Sequence, residues 1–234
     1  MMRLNKFLAK SGIASRRKCD ILIKEGKIKV NGKIVSDLST QIVDKDFVQF
    51  NNKLVELNFN PIIYLFNKPK GVISTVTDPY KRKTILDFFD TKERLFPIGR
   101  LDRDTTGVLL VTNDGDLAHR MMHPKFQVER KYFIETKISI NQTKLKLVQE
   151  GVRLDNGQQV KAKINFIDKK FNRNIYEAIL FEGKNREVKN IFKFLDSKVE
   201  SLHRFSFAGI ELGKLKVGRK KKIPLNVIKG ILKT

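Results

Sequence analysis

Among the 25 acidic side chains of this 234-residue chain, four aspartates gather in one short stretch. Asp102 and Asp104 lie in Gly99-Arg100-Leu101-Asp102-Arg103-Asp104-Thr105-Thr106-Gly107, and Asp114 and Asp116 lie in and beside the turn Asn113-Asp114-Gly115. Glycines bracket the first group, and the apolar run Val108-Leu109-Leu110-Val111 follows at once. A polar loop on the edge of a buried strand can present a carboxylate to a cleft while the strand holds its backbone still, which is what a reacting group needs. By residue type alone the four aspartates are equivalent candidates, because aspartate serves turns and helix caps equally well.

Metal chemistry has little to build on. Cys19 is the only cysteine, so neither an internal disulfide nor a thiolate cluster can form. His119 and His123 are spaced as two ligands on one helix face would be, but no glutamate separates them and Pro124 follows directly, while His203 stands far away in sequence. No metal is implied.

The partner is written in the charge. Lys and Arg number 48, giving a formal net charge of +23, while 41% of residues are hydrophobic. The chain is therefore basic and folded, and a charge of that size draws a protein to polyanions. No apolar run approaches the ~18 residues of a spanning helix, and the chain has no Trp to anchor a membrane interface. Nucleic acid is the favoured partner and no membrane is expected. Residues 1–10 lack an apolar core of signal-peptide length, which predicts a cytoplasmic location.

The elements that must position these residues divide near Asn58-Phe59-Asn60-Pro61, which reads as a linker. Residues 4–25 read as two short helices broken at Ser11-Gly12, with Ser15 as N-cap of the second and Gly26 as its stop. Asn31-Gly32 then supplies the two positive-φ residues of a tight hairpin. Strands follow near 47–50 and 54–57. Residues 1–36 carry ten basic and two acidic side chains, a dense charge suited to phosphates. Beyond the linker, strands are predicted at 62–66, 108–112, 132–136, 161–167 and 176–181, and helices at 116–122, 141–150 and 186–195. Without a steady strand-helix-strand beat, this order predicts an α+β domain on a largely antiparallel mixed sheet.

Two resemblances sharpen the reading. Arg3-Leu4-Asn5-Lys6-Phe7-Leu8, Gly12-Ile13-Ala14-Ser15-Arg16-Arg17 and Val30-Asn31-Gly32-Lys33 resemble the small RNA-binding fold shared by a ribosomal small-subunit protein and several RNA-modifying enzymes. That likeness implies RNA contacts from Arg3, Lys6, Ser15, Arg16, Arg17, Lys18, Asn31 and Lys33. Further on, Gly99-Arg100-Leu101-Asp102 with Thr106-Gly107 and its aliphatic strand is similar to the signature loop of pseudouridine synthases of the ribosomal-RNA branch, which carries an N-terminal RNA-binding module. Lys68-Pro69-Lys70-Gly71, Glu129-Arg130-Lys131-Tyr132 and Glu182-Gly183-Lys184-Asn185-Arg186-Glu187-Val188-Lys189 match that branch's other motifs in order.

The resemblance implies a module at 1–60 and a catalytic domain at 61–234, with Asp102 as catalytic carboxylate, Tyr132 as active-site aromatic and Arg186 as active-site basic residue. Leu202 in Val199-Glu200-Ser201-Leu202-His203-Arg204 would lie against the target base, with Arg100 and Lys189 also in the substrate site; Asp104 has no implied role. The reaction breaks and remakes bonds within one nucleotide, so no cofactor is expected, and the partner is ribosomal RNA or an assembling subunit, met by a monomer. Met122-His123-Pro124 and Val128-Glu129-Arg130 are more similar to the large-subunit group; a small-subunit enzyme and a non-catalytic ribosome-assembly factor are the alternatives. The end departs from the pattern: relatives close with a glycine, an aromatic, an arginine and an aliphatic residue, whereas this chain reads Gly218-Arg219-Lys220-Lys221-Lys222-Ile223, within a tail of eight basic and no acidic residues from Lys214 to Thr234. That tail could touch phosphates or simply be a solvated end.

Overall fold

The computed structural model describes residues 1–91 and 93–231, which fall into two compact units, residues 1–61 with 93 and 94, and the remainder.

In the first unit, α1 (Leu4–Lys10) buries Leu4 and Leu8, and α2 (Arg16–Lys24) buries Cys19, Leu22 and Ile23, the i, i+3, i+4 spacing of one helix face. Ser15 opens α2 by accepting the Lys18 N–H at 3.2 Å, the capping role its position predicts. β1 (Ile28–Val30) turns into β2 (Lys33–Ile34) through Asn31 and Gly32, at φ 51° and 80°, and β3 (Val48–Phe50) and β4 (Lys53–Leu54) complete a sheet ordered β2-β1-β3-β4. The strand expected over 54–57 stops at Leu54: Val55 still donates to Val48 O at 2.8 Å, but Glu56 and Leu57 are exposed and carry no ladder. A short pairing of Met2–Arg3 with Gln41–Ile42 was not legible, being too brief to show a period.

The second unit, in chain order, consists chiefly of β5 (Ile63–Lys68), β6 (Thr106–Thr112), α3 (Gly115–Met122), β7 (Arg130–Thr136), α4 (Gln142–Glu150), β8 (Lys163–Lys170), β9 (Arg173–Leu180), α5 (Glu187–Phe194), β10 (Val199–Phe207), β11 (Lys220–Lys222) and α6 (Leu225–Ile231). Among the described residues its sheet has nine strands, ordered β8-β9-β7-β10-β6-β5-β11 with Phe96–Pro97 on β6 and Ile210–Glu211 on β10. The pairings are antiparallel except β10 with β6, where His203 faces Thr106 and Arg204 faces Gly107. This is the α+β, largely antiparallel arrangement that the segment order predicts.

Burial explains which strands read clearly. β5 and β6 are covered on both faces: Phe66, Leu109 and Val111 join α5 residues Val188, Ile191 and Phe192 in one layer, and Ile63, Leu65, Val108 and Leu110 join Ala118 and Met121 of α3 in the other. Their sequences are accordingly continuous apolar runs. β7 and β9 bury one face only and alternate. β8 runs from Lys163 to Lys170, later than the expected 161–167, because its exposed residues carry no period. The basic tail holds two unforeseen elements. Exposed Lys220–Lys222 form β11 against Tyr64–Phe66, and α6 follows. Residues 232–234, which include Lys233 of that tail, lie outside the described residues.

Candidate active site

The loop carrying Asp102 is held from below by a lysine. Lys68, the last residue of β5, is fully buried, and its Nζ donates to the carbonyl oxygens of Pro69 at 3.1 Å, Arg103 at 3.2 Å and Thr105 at 2.8 Å. Burial pulls its pKa from 10.5 down to about 8, against the pull of the Asp104 and Asp102 carboxylates. A second tie comes from Ser74, whose Oγ donates to Leu101 O at 2.8 Å and accepts the Leu101 N–H at 3.2 Å. Gly71 N adds a bond to Arg103 O at 2.8 Å, and Thr105 N closes the turn on Asp102 O at 3.1 Å. The loop is fixed by the motif Lys68–Gly71, far from it in sequence.

Where the loop enters β6, Gly107 sits at φ 104°, and a Cβ there would lie 2.2 Å from the backbone oxygen of Arg204. Only glycine lets β6 and β10 approach this closely. The same register places Arg204 opposite Tyr132 on β7, so three adjacent strands align Gly107, Arg204 and Tyr132 in one row.

Around Asp102 the positive charge comes from α5 and its entry. Lys189 Nζ lies 3.1 Å from Asp102 Oδ2, and Arg186 Nε lies 4.0 Å from the same oxygen. The Arg186 side chain is 65% exposed against 27% for Lys189, so the lysine is the closer and better shielded partner. Arg186 stands just before α5 in left-handed conformation, at φ 51°. The next residue, Glu187, accepts the Lys184 N–H at 3.0 Å, and burial raises its pKa.

Behind Asp102 the wall is built from β7 and β10. Tyr132 and Leu202 are each 8% exposed, belong to the core and also line the cleft. Arg204 is buried, donates Nε to Val108 O at 2.8 Å and lies with Cζ 4.6 Å from the Phe207 ring centroid. Burial lowers its pKa, an effect partly offset by the Tyr132 hydroxyl lying against it; Nη2 itself has no partner within hydrogen-bond geometry. Arg130 crosses the same ring at 5.2 Å and donates to Phe181 O at 2.9 Å.

Arg100, Asp102, Tyr132, Arg186, Lys189 and Leu202 thus all line one open cleft of about 800 Å³, within the range of small-ligand sites. Asp104 and Asp114 play other parts: Asp104 faces Lys68 electrostatically, and Asp114 caps α3 by accepting from Asp116 N and Leu117 N. Sequence reasoning missed Lys68, Ser74, Arg130 and Arg204. Lys68 and Arg130 stand inside motifs that the sequence displays, but no sequence signal distinguishes a buried cation from a solvated one. His119 and His123 form a ring contact at 5.2 Å, and among the described residues no cluster of three or more His, Cys, Asp or Glu is placed to hold a metal.

In the first unit Arg3, Ser15, Arg16, Arg17, Lys18, Asn31 and Lys33 are exposed and Lys6 is half-buried. Ser15 caps α2, and Asn31 and Arg16 are also engaged within the fold. Asn31 donates to Asp46 at 2.8 Å and accepts the Phe47 N–H at 3.1 Å, and Arg16 reaches Asn5 at 3.4 Å.

Comparison with known proteins agrees with this geometry. The model of the RNA pseudouridylate synthase family matches residues 62–194, and that of the S4 domain matches residues 2–48. Ribosomal large subunit pseudouridine synthase B of Bacillus subtilis (strain 168) is 39% identical over 232 residues, covering 98% of this chain and 95% of that protein. An uncharacterized RNA pseudouridine synthase of Aquifex aeolicus (strain VF5) is 36% identical, covering 93% of this chain and 88% of the other. A crystal structure of a pseudouridylate synthase superposes with a TM-score of 0.71 at 28% identity, covering 99% of this chain and all of that one. A polar loop clamped beneath a cleft, its aspartate faced by cations, and likeness along nearly the whole chain lead to one conclusion: this protein belongs to the RNA pseudouridylate synthase family and is a pseudouridine synthase with an N-terminal S4 domain.

Proposed function

We propose that the protein isomerises a uridine of large-subunit ribosomal RNA to pseudouridine, with Asp102 as the reacting carboxylate and residues 1–60 as the RNA-holding module of a catalytic domain spanning 61–234. The observation that carries this reading is the convergence of Asp102, Lys189 and Arg186 within 4.0 Å in a cleft also lined by Tyr132 and Leu202. Likeness to the Bacillus subtilis large-subunit synthase supports the choice of subunit.

The reaction breaks the bond from ribose to uracil nitrogen, turns the ring and joins it through carbon, with no change in oxidation state, so no cofactor is required. The target base has to leave its stack, at a cost of roughly a few kcal/mol. Asp102 acts as the carboxylate anion, whether it attacks the anomeric carbon, adds to the uracil ring or assists deprotonation at the sugar. Lys189 holds that anion in one direction, and exposed Arg186 is free to close on the nucleotide as it enters. Tyr132 gives a flat face and a hydroxyl able to pass a proton when the carbon–carbon bond is complete; Arg204 stands opposite it across β7 and β10. Leu202 gives the base an apolar floor.

Mapping pseudouridines in ribosomal RNA from cells with and without the protein tests the substrate; a site lost from the large subunit and restored by wild type is expected. Restoration by Asp102→Asn would overturn the chemistry. That variant keeps size and hydrogen bonding but removes the charge, so tritium release from labelled uridine is expected to disappear while RNA affinity stays within about a few-fold.

A further inference from the structure

Asp78, Tyr80 and Arg82 form an ordered tip that the chemistry above leaves unused. They stand on the loop between Ile73 and Thr84, whose ends are pinned by Ile73 N to Lys83 O and Ile85 N to Ile73 O, each at 3.0 Å. Ser74, at the base of this loop, is the residue bonded to Leu101 beside Asp102. Its first arm, Ile73 to Val76, lines the catalytic cleft. Tyr80 lies only four residues farther on, so at ~3.3–3.6 Å per residue the tip is at most about 14 Å beyond Val76. That distance suits the nucleotides next to one seated at Asp102.

The tip is organised by a single carboxylate. Asp78 accepts the backbone N–H of Tyr80 at 3.1 Å and of Arg82 at 3.0 Å, and its oxygens take Arg82 Nε at 3.1 Å and Nη2 at 2.6 Å. Its side chain is only 4% exposed, and the Arg82 fork holds its pKa down to about 2. The guanidinium is thereby fixed in orientation, with Cζ 5.1 Å from the centroid of the Tyr80 ring. Tyr80 itself is 78% exposed. In the free protein this arrangement orders two long side chains for little burial. What it achieves is an outward-facing ring backed by a planar cation whose charge is already matched by Asp78. Unpaired nucleobases stack on surfaces of this kind.

We propose that Tyr80, braced by Arg82 and Asp78, is a stacking platform for a nucleobase flanking the target uridine, holding the neighbour in place when the target leaves the stack. The proposal rests on the reading of the cleft as an RNA-modifying site. Because Arg82 directs its fork to Asp78, the platform binds through the base and not through phosphate. Its contribution to affinity is therefore insensitive to salt, unlike that of the lysines and arginines of the first unit.

The test uses a fragment of large-subunit ribosomal RNA that the full-length wild-type protein converts, with binding measured in an Asp102→Asn background. Tyr80→Ala is expected to weaken binding by roughly five- to hundredfold, Tyr80→Phe to restore it, and the slope of log affinity against log salt to stay as it was. A series of fragments, each with one abasic site beside the target, should include one on which Tyr80→Ala carries no further penalty. Unchanged binding by Tyr80→Ala overturns the platform, as does a flattened salt slope or a penalty equal on every abasic fragment. Wild-type protein that converts no fragment overturns the platform together with the function it rests on, whereas wild-type conversion beside an indifferent Tyr80→Ala removes the platform alone.

Discussion

At the scale of single residues the cleft divides its positive charge unevenly. Lys189 is nearer to Asp102 than Arg186 and far less exposed. In a medium of effective dielectric ~20, unit charges 4 Å apart attract by about 4 kcal/mol, of which solvent leaves a part. Lys189→Met is therefore expected to lose about tenfold or more in single-turnover rate, tenfold being about 1.4 kcal/mol, and a rate within twofold of wild type would show that the ion pair is not used in the reaction. Arg186→Lys is expected to lose rate as well, since lysine keeps the charge but not the planar fork that can hold two acceptors. Of the candidate residues, Asp102 could be picked out from its fellow aspartates only through the likeness of its surrounding motif. The nearness of Lys189, three residues and almost one helical turn past Arg186, depends on Arg186 standing outside the helix in left-handed conformation, which residue types do not announce.

At the scale of elements the loop is only as good as its supports. Gly107→Ala would press a Cβ to 2.2 Å from the Arg204 backbone oxygen at a φ of 104°, forcing β6 and β10 apart. A loss of about 3 kcal/mol is expected in urea unfolding, with activity falling because Arg204, and with it Tyr132, shifts. A change under ~0.5 kcal/mol would mean that the strands have slack. Lys68→Met would leave the buried Thr105 carbonyl without its donor and the Arg103 carbonyl with Gly71 N alone, costing ~1–3 kcal/mol for the buried group left unpaired. Its pH dependence has a definite sign. The folded protein releases the Lys68 proton near pH 8, whereas the unfolded chain keeps it to about 10.5. Between those values unfolding takes up a proton, so wild-type stability gains on Lys68→Met as pH rises from about 8 toward 10 and the gap is constant below that window. Urea midpoints at pH 7 and 9.5 measure it, and a gap that narrows would place the lysine in a different charge state. The Lys68–Gly71 motif was visible in the sequence; that its lysine reaches under a loop 35 residues away was not, because nothing in a strand's period encodes where its last side chain points.

For the molecule as a whole, each unit has a core of its own. Leu4, Leu8, Ile23 and Ile28 belong to a cluster formed entirely within residues 4–55, and the two clusters around the large sheet lie entirely within residues 63–228. Deletion of residues 1–60 is thus expected to leave a folded domain that still converts uridine in a short fragment but binds ribosomal RNA weakly. The ten basic residues of the first 36 are expected to act on affinity, and removing each cation that neutralises a phosphate should flatten the slope of log affinity against log salt by about 0.7–0.9. A truncated protein with an unaltered slope and unaltered site selection would assign RNA binding to the second unit alone. Among the described residues no helix is long and apolar enough to cross a membrane, in keeping with a surface given over to charge.

The sequence by itself determined the strands β5, β6, β7 and β9, the Ser15 cap, the Asn31-Gly32 turn and the order of motifs that carries the family, because these depend on residues close in the chain or on patterns of burial. It determined the excess of positive charge in the same way. Tertiary structure decided what no local pattern holds. β10, never expected as a strand, was decided by its neighbours β7 and β6. The parallel pairing of β6 with β10 sets Gly107 against Arg204 and so aligns Tyr132 with the loop, and a buried lysine locks that loop from another strand. Lys220–Lys222, polar throughout and without period, become an edge strand because β5 offers them a free row of backbone groups.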